Sequence, residues 1–144
     1  MTTDALQVGR QGRHQRMRDR CLAVAEKRIP TGVTVEYRRS LSGRAFTREG
    51  RMSVPRPVTR RALYIYLHEC AHFALHSGRR KHRYIEEMEA EKWAVAIMRR
   101  EKIPVPQKSV EGGKCYVRRK VMQALKRGLK CPDAGVMKWC GWWK

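Results

Sequence analysis

The sequence predicts an α+β fold, and three observations carry that prediction. Apolar residues recur at helical spacing in several separate segments. A short stretch after the first of them alternates apolar and polar residues with the period of a strand, and glycine or proline marks the junctions. At 144 residues the chain has the length of one domain, enough to bury a core without disulfide or metal staples.

Taken in order, Gly9 and Gly12 make residues 1–12 a poor helix, expected to be a flexible terminus. From about Arg13, Met17, Cys21, Leu22 and Ala25 fall on one helical face, and Pro30 and Gly32 end that helix. Val33, Val35 and Tyr37 then alternate with Thr34, Glu36 and Arg38 as a half-buried strand does. Two shorter strands are expected around residues 44–47 and 51–54, separated by Glu49-Gly50 and stopped by Pro55 and Pro57. Together these three segments predict a small antiparallel meander. Thr59 is placed to cap a helix running through Ala62, Leu63, Tyr66 and Leu67 to Ser77, with Gly78 as its stop. A second helix is expected over 85–101, with Met88, Trp93, Ala94, Ile97 and Met98 inward and Pro104 and Pro106 at its exit. A third begins after Gly112-Gly113, buries Val117, Val121, Met122 and Leu125, and ends at Gly128. The tail, with Trp139, Trp142 and Trp143, is expected to form a short helix packing back. The implied organisation is a folded domain over 13–110 and a basic helical extension over 111–144 resting on it.

Charge adds a second layer. Lys and Arg number 33 against 13 Asp and Glu, a net +20. Such an excess points to a polyanionic partner, either nucleic acid or an acidic protein substrate. Seven of the thirteen acids (Glu69, Glu86, Glu87, Glu89, Glu91, Glu101 and Glu111) nevertheless lie between residues 62 and 113, a local reversal that needs a cause. No apolar run reaches the ~18–20 residues of a membrane span, and no signal peptide is read at the start. The expected location is cytoplasmic, with all five cysteines (21, 70, 115, 131 and 140) reduced.

The sharpest feature is His68-Glu69-Cys70-Ala71-His72, an H-E-x-x-H sequence inside the strongest helical pattern. Residues four apart lie one turn above each other, so His68 and His72 can converge on one cation at the ~2.0–2.1 Å of a zinc–nitrogen bond. Glu69 sits beside such an ion rather than on it, where a carboxylate can take a proton from water that the metal activates. A third ligand is needed. His76 lies about 12 Å up the axis from His68, too far for the two to share an ion on an unbroken helix. The cysteines lack C-x-x-C spacing, and Cys70 points off the histidine face. The acidic stretch Glu86, Glu87, Glu89 and Glu91 is the remaining source, and the motif alone leaves open which of them serves.

L-H-E-C-A-H-F-A-L-H followed by E-M-E-A-E-K-W-A resembles the ImmA/IrrE-type metallopeptidases, gluzincins with an H-E-x-x-H…E-x-x-A pattern. The resemblance covers about residues 60–100, and more loosely the strands before them. It implies a zincin-like fold, with the sheet packed on the H-E-x-x-H helix and a glutamate-bearing helix. It also implies zinc held by His68, His72 and Glu87, Glu69 as general base, and Glu91 hydrogen-bonded to the non-ligating nitrogen of His68. Trp93 stands where the family has Phe. The substrate implied is a protein regulator, as in bacterial, phage or mobile-element gene control. His76, His82, Tyr84 and Arg83 are the nearby side chains that can face a substrate or its oxyanion. The alternative reading is a basic nucleic-acid-binding regulator whose zinc site is structural or vestigial. An ion open to a groove favours the enzyme, and one closed by protein favours the binder.

Overall fold

In the computed structural model, residues 3–142 are described except Ser77 and Arg79, with side chains described from Gln7 onward. The fold is α+β, with five helices and a three-stranded mixed sheet among those residues. The elements are α1 (Thr3–Arg28), β1 (Thr34–Arg38), β2 (Arg44–Phe46), β3 (Arg51–Pro55), α2 (Arg60–Leu75), α3 (Arg83–Arg100), α4 (Gln107–Lys126) and α5 (Ala134–Trp139).

The first correction concerns the N-terminus. α1 starts at Thr3, so Gly9 and Gly12 lie inside a helix rather than in a flexible lead; Met1 and Thr2 fall outside the described residues. Cys21, Val24 and Ala25 bury this helix at its C-terminal end. Once anchored there, each further residue adds a hydrogen bond for one pair of fixed dihedrals, and two glycines at about 1 kcal/mol each do not stop propagation.

The second correction concerns the sheet. Its order is β1-β3-β2, with β1 parallel to β3 and β2 antiparallel to β3, so it is not an antiparallel meander. Val35 and Ala45 both lie opposite Met52. Alternation predicts a strand but not its neighbour; the neighbour is decided by burial. Met52 and Val54 of β3 are fully buried, so β3 takes the centre and the wetter strands flank it. The Thr34 amide donates to the Gly50 carbonyl at 2.8 Å, tying the starts of β1 and β3 to the same end of the sheet. Tyr37, expected inward, is exposed, with the Arg56 guanidinium 5.6 Å from its ring centre.

α2 follows its sequence signals closely. Thr59 Oγ1 accepts from the Ala62 amide at 3.1 Å, and the helix ends at Leu75 with His76 at its cap. Leu63, Tyr66, Leu67 and Cys70 face the sheet and α1, where they meet Met52, Val54, Ile97 and Met98 in the main core. The opposite side of α2 carries His68 and His72 toward α3. The sheet and α1 thus hold α2 from behind while α3 covers its polar face.

The third correction concerns α4, which starts at Gln107 and runs straight through Gly112-Gly113, where a break was expected. The division at 110/111 therefore cuts one continuous helix. A second core, formed by Tyr84, Val117, Val121, Val136, Met137 and Cys140, fixes α4 and α5 against α3. Asp133 caps α5 by accepting from the Val136 amide at 3.0 Å. Among the described residues no helix is long and apolar enough to cross a membrane, and all five cysteines are free.

Candidate metal centre

α2 and α3 run antiparallel, which brings Tyr64 opposite Glu91 and His68 opposite Glu87. His68, His72 and Glu87 then form a buried trio whose ligating atoms face one another. His68 Nε2 lies 3.3 Å from His72 Nε2 and 2.8 Å from Glu87 Oε2, and His72 Nε2 lies 3.5 Å from Glu87 Oε1. Ligands at ~2.0–2.1 Å in a tetrahedron stand about 3.4 Å apart, so these separations fit a single cation with little adjustment. Two ring nitrogens and a carboxylate at such range satisfy one another poorly by hydrogen bonds, because the two Nε2 atoms compete for a proton. A divalent cation satisfies all three.

The charge reversal along the sequence now has its cause. Burial disfavours an imidazolium at His68, yet Glu87 and Glu91 outweigh it and hold the ring pKa up at about 10. Glu87 is pushed up by burial but drawn well below the usual carboxylate range by His68 and His72. Without metal, a proton on His68 therefore takes the cation's place. That proton is held from the ordinary histidine value of 6.5 up to about 10, so apparent metal affinity is expected to rise about tenfold per pH unit across that window and level off above it. Competition with a chromophoric chelator between pH 6.5 and 9, corrected for the chelator's own titration, measures the slope; a flat profile would show that no proton is displaced.

For Glu91, to which the resemblance gives a hydrogen bond with the non-ligating nitrogen of His68, the structure shows a position beside that ring. Its Oε1 is 2.9 Å from His68 Nδ1, near enough to orient the ring although not aligned as a full hydrogen bond. Its Oε2 accepts a short hydrogen bond from the Tyr64 hydroxyl. Behind Glu91 lies Gly113 of α4, where a Cβ would come within 2.3 Å of Glu91 Oε2. The glycine is required by that close approach and not by its φ. Gly113→Ala is expected to destabilise the fold by about 2 kcal/mol and to weaken metal binding about tenfold by displacing Glu91. Gly112→Ala, whose Cβ meets nothing, should stabilise slightly. Urea unfolding of the pair, with zinc competition, separates steric from helix-propensity effects.

Glu69 is buried but lines the cleft beside the trio, off the ligand face. Burial pushes its carboxyl pKa up, against the pull of His68 and His72. A Cβ at Gly43, just before β2, would fall 2.8 Å from Glu69 Cγ, so the strand entry holds this side chain in place. The cleft has a volume of about 900 Å³ and lies between the β2 side of the sheet, α2 and α4. It adjoins His68, Glu69 and Glu87 on its floor.

The remaining expected residues separate. His76 is buried behind His72, with its Nδ1 3.1 Å from His72 Nδ1, and it lines a smaller cavity rather than the cleft. It is neither exposed nor substrate-facing. It props the second histidine while its own Nε2 points to Glu89 at 3.4 Å, and Glu89 is paired with Lys81. His76→Ala is expected to lower metal affinity 10–100-fold, measured by zinc competition, with His76→Gln recovering part of it through its amide. His76 also belongs to a second buried trio, with His72 and Glu86, that can hold a cation in place of the first. Arg80 and Lys81 line that cavity but not the cleft of the first trio, and disfavour one there. His82 is exposed and stacks on Tyr84 with ring centres 5.7 Å apart. Tyr84 turns into the second core, and its hydroxyl accepts from the Asp133 amide. Neither lines the cleft: His82 precedes α3, and Tyr84 is taken up by the second core and Asp133. Arg83 does reach the site, with Nη2 2.8 Å from Glu87 Oε1.

Tyr116 and Lys120 of α4 and Tyr64 were not singled out from the sequence, and Gly113 was read only as a helix break. Tyr64 was accessible through its four-residue spacing from His68; the α4 residues carry no local signal, because their role arises only when that helix docks. Protein-family models, curated proteins and solved structures yield no match to this chain.

Proposed function

We propose that the chain is a zinc-dependent metallopeptidase of the ImmA/IrrE type with a zincin-like fold, hydrolysing peptide bonds of a protein substrate. The observation that carries the reading is the trio His68, His72 and Glu87 at ligand spacing, bordered by a cleft that also receives the Glu69 carboxylate. Two imidazoles and a carboxylate suit zinc. When bound, zinc would supply Lewis acidity, polarising a carbonyl and making water acidic enough to lose a proton near neutrality.

The other roles belong to the chain. β2 pairs only with β3 among the described residues, and its first residue Arg44 and the loop 41–43 before it line the cleft, so an extended substrate can enter along the free edge of β2 as a further strand. Glu69 takes the proton of the attacking water and returns it to the leaving amine. Glu91 and His76 fix the two rings. Arg83 holds Glu87 in its ligating rotamer. Tyr116, half-buried in the cleft wall, donates its hydroxyl to the developing oxyanion. The open cleft favours this reading over a nucleic-acid binder whose site is closed by protein. The test is hydrolysis of an unfolded protein by the zinc-loaded chain, stopped by a chelator and restored by stoichiometric zinc. A chain that binds one zinc and cuts no polypeptide would overturn it.

A further inference from the structure

The acids of the cleft are Glu87 of the metal trio with Glu69 and Glu91 beside it; of the cations that line it, Arg44 adjoins Gly43 over Glu69, and the others are spread along the helices toward its two ends. α4 gives the scale. Gly113 abuts Glu91 and so marks the level of the metal centre. Lys108 is five residues before it and Lys120 seven after, about 7.5 Å and 10.5 Å along the axis in opposite directions. Arg61 stands in the first turn of α2, seven residues before His68, or about 10.5 Å toward the same end as Lys108. The antiparallel α3 brings the backbone of Arg83 to the Lys120 end, where both also line a neighbouring cavity, but its guanidinium is engaged by Glu87 at 2.8 Å, which leaves Lys120 as a free cation there. Among the described residues Arg61, Lys108 and Lys120 have no carboxylate partner; Lys120 reaches only the Gln123 side chain at 3.4 Å.

An extended peptide advances about 3.3 Å per residue, so these cations meet positions about two to three residues from a scissile bond centred over the trio. We propose, building on the peptidase reading above, that the cleft selects polypeptides with Asp or Glu about two to three positions on each side of the bond it cuts. A nucleic-acid strand is the poorer occupant: its unbroken row of phosphates would cross the three carboxylates of the floor. A peptide lays neutral amides there and places its charges at the ends.

The test uses the full zinc-loaded chain with Glu69→Gln, so that peptides bind without being cut. Two fluorescent ten-residue peptides, alike except that Glu at the flanking positions is replaced by Gln, are titrated at near-physiological salt. The acidic peptide is expected to bind about tenfold more tightly. Arg61→Ser/Lys108→Ser/Lys120→Ser should reduce that ratio to about twofold. Arg10→Ser/Arg13→Ser/Arg18→Ser removes the same charge from α1 and should leave it unchanged. Equal losses in both triple variants would assign the preference to net charge and overturn the proposal. So would a ratio near one, or displacement of the peptide by a single-stranded oligonucleotide whose own binding depends on the cleft cations. The peptidase reading is judged separately, by chelator-sensitive cleavage in the unmodified chain. Absence of cleavage with the binding ratios intact would remove that reading and leave acidic-polypeptide recognition standing.

Discussion

Glu69→Gln is expected to retain one equivalent of zinc and to lose peptide hydrolysis by a factor of about a thousand or more. The amide has the shape of the carboxylate, so the packing of this side chain against Gly43 is preserved while the capacity to take a proton is gone. Because Glu69 lies one residue beyond His68, its side chain is about 100° around the helix from the ligand face and contributes no ligand. Elemental analysis and a fluorogenic peptide assay on the same preparation separate the two properties. Substantial turnover by a fully metallated variant would mean that another group removes the proton.

Glu87→Ala is expected to cost about three orders of magnitude in zinc affinity. It removes one of three ligands and leaves His68 and His72 with only each other. Glu87 is 1% exposed, so the variant also opens a cavity and releases Arg83, and some stability should be lost with the metal. Comparison with its neighbours makes the result specific. Glu86→Gln touches the alternative trio and Glu89→Gln the contacts with Lys81 and His76, none of them a ligand of the first trio, and both should keep zinc within about tenfold of the unmodified chain. Chelator competition and the visible spectrum of the cobalt-substituted protein read affinity and ligand number. If Glu86→Gln releases the metal and Glu87→Ala keeps it, the ion sits between His72, His76 and Glu86 instead.

The parts of the fold legible in the sequence are those fixed by local rules. The Thr59 cap and the four-residue interval of the histidines follow from helix geometry, and the structure shows both; the stripe Arg83-Glu87-Glu91 was not read, because α3 begins two residues before the expected start at 85. The placement of Glu91 beside His68 came from the family resemblance and agrees with the observed contact. What escaped was set at a distance. The exchange of β2 and β3 in the sheet depends on which strand the helices cover, information absent from any window of the strands themselves. Gly112-Gly113 carries the local signature of a break, and tertiary packing overrode it: Gly113 gives up helix propensity to let α4 lie against a carboxylate. His82 and Tyr84 lie close to Glu87 in sequence, but Tyr84 is taken up by a second core that exists only once α4 and α5 have docked on α3.

The contact between Gly113 and Glu91 couples two things that sequence separates by more than twenty residues, the seating of the C-terminal helices and the posture of a ligand histidine. Thermodynamic reciprocity follows. If docking α4 favours the cation by some factor, the cation must favour docking by that same factor. A cargo protein or crowded surface that grips the basic tail and tilts α4 would thereby loosen the metal's hold without touching a ligand, and saturating zinc would resist the tilt.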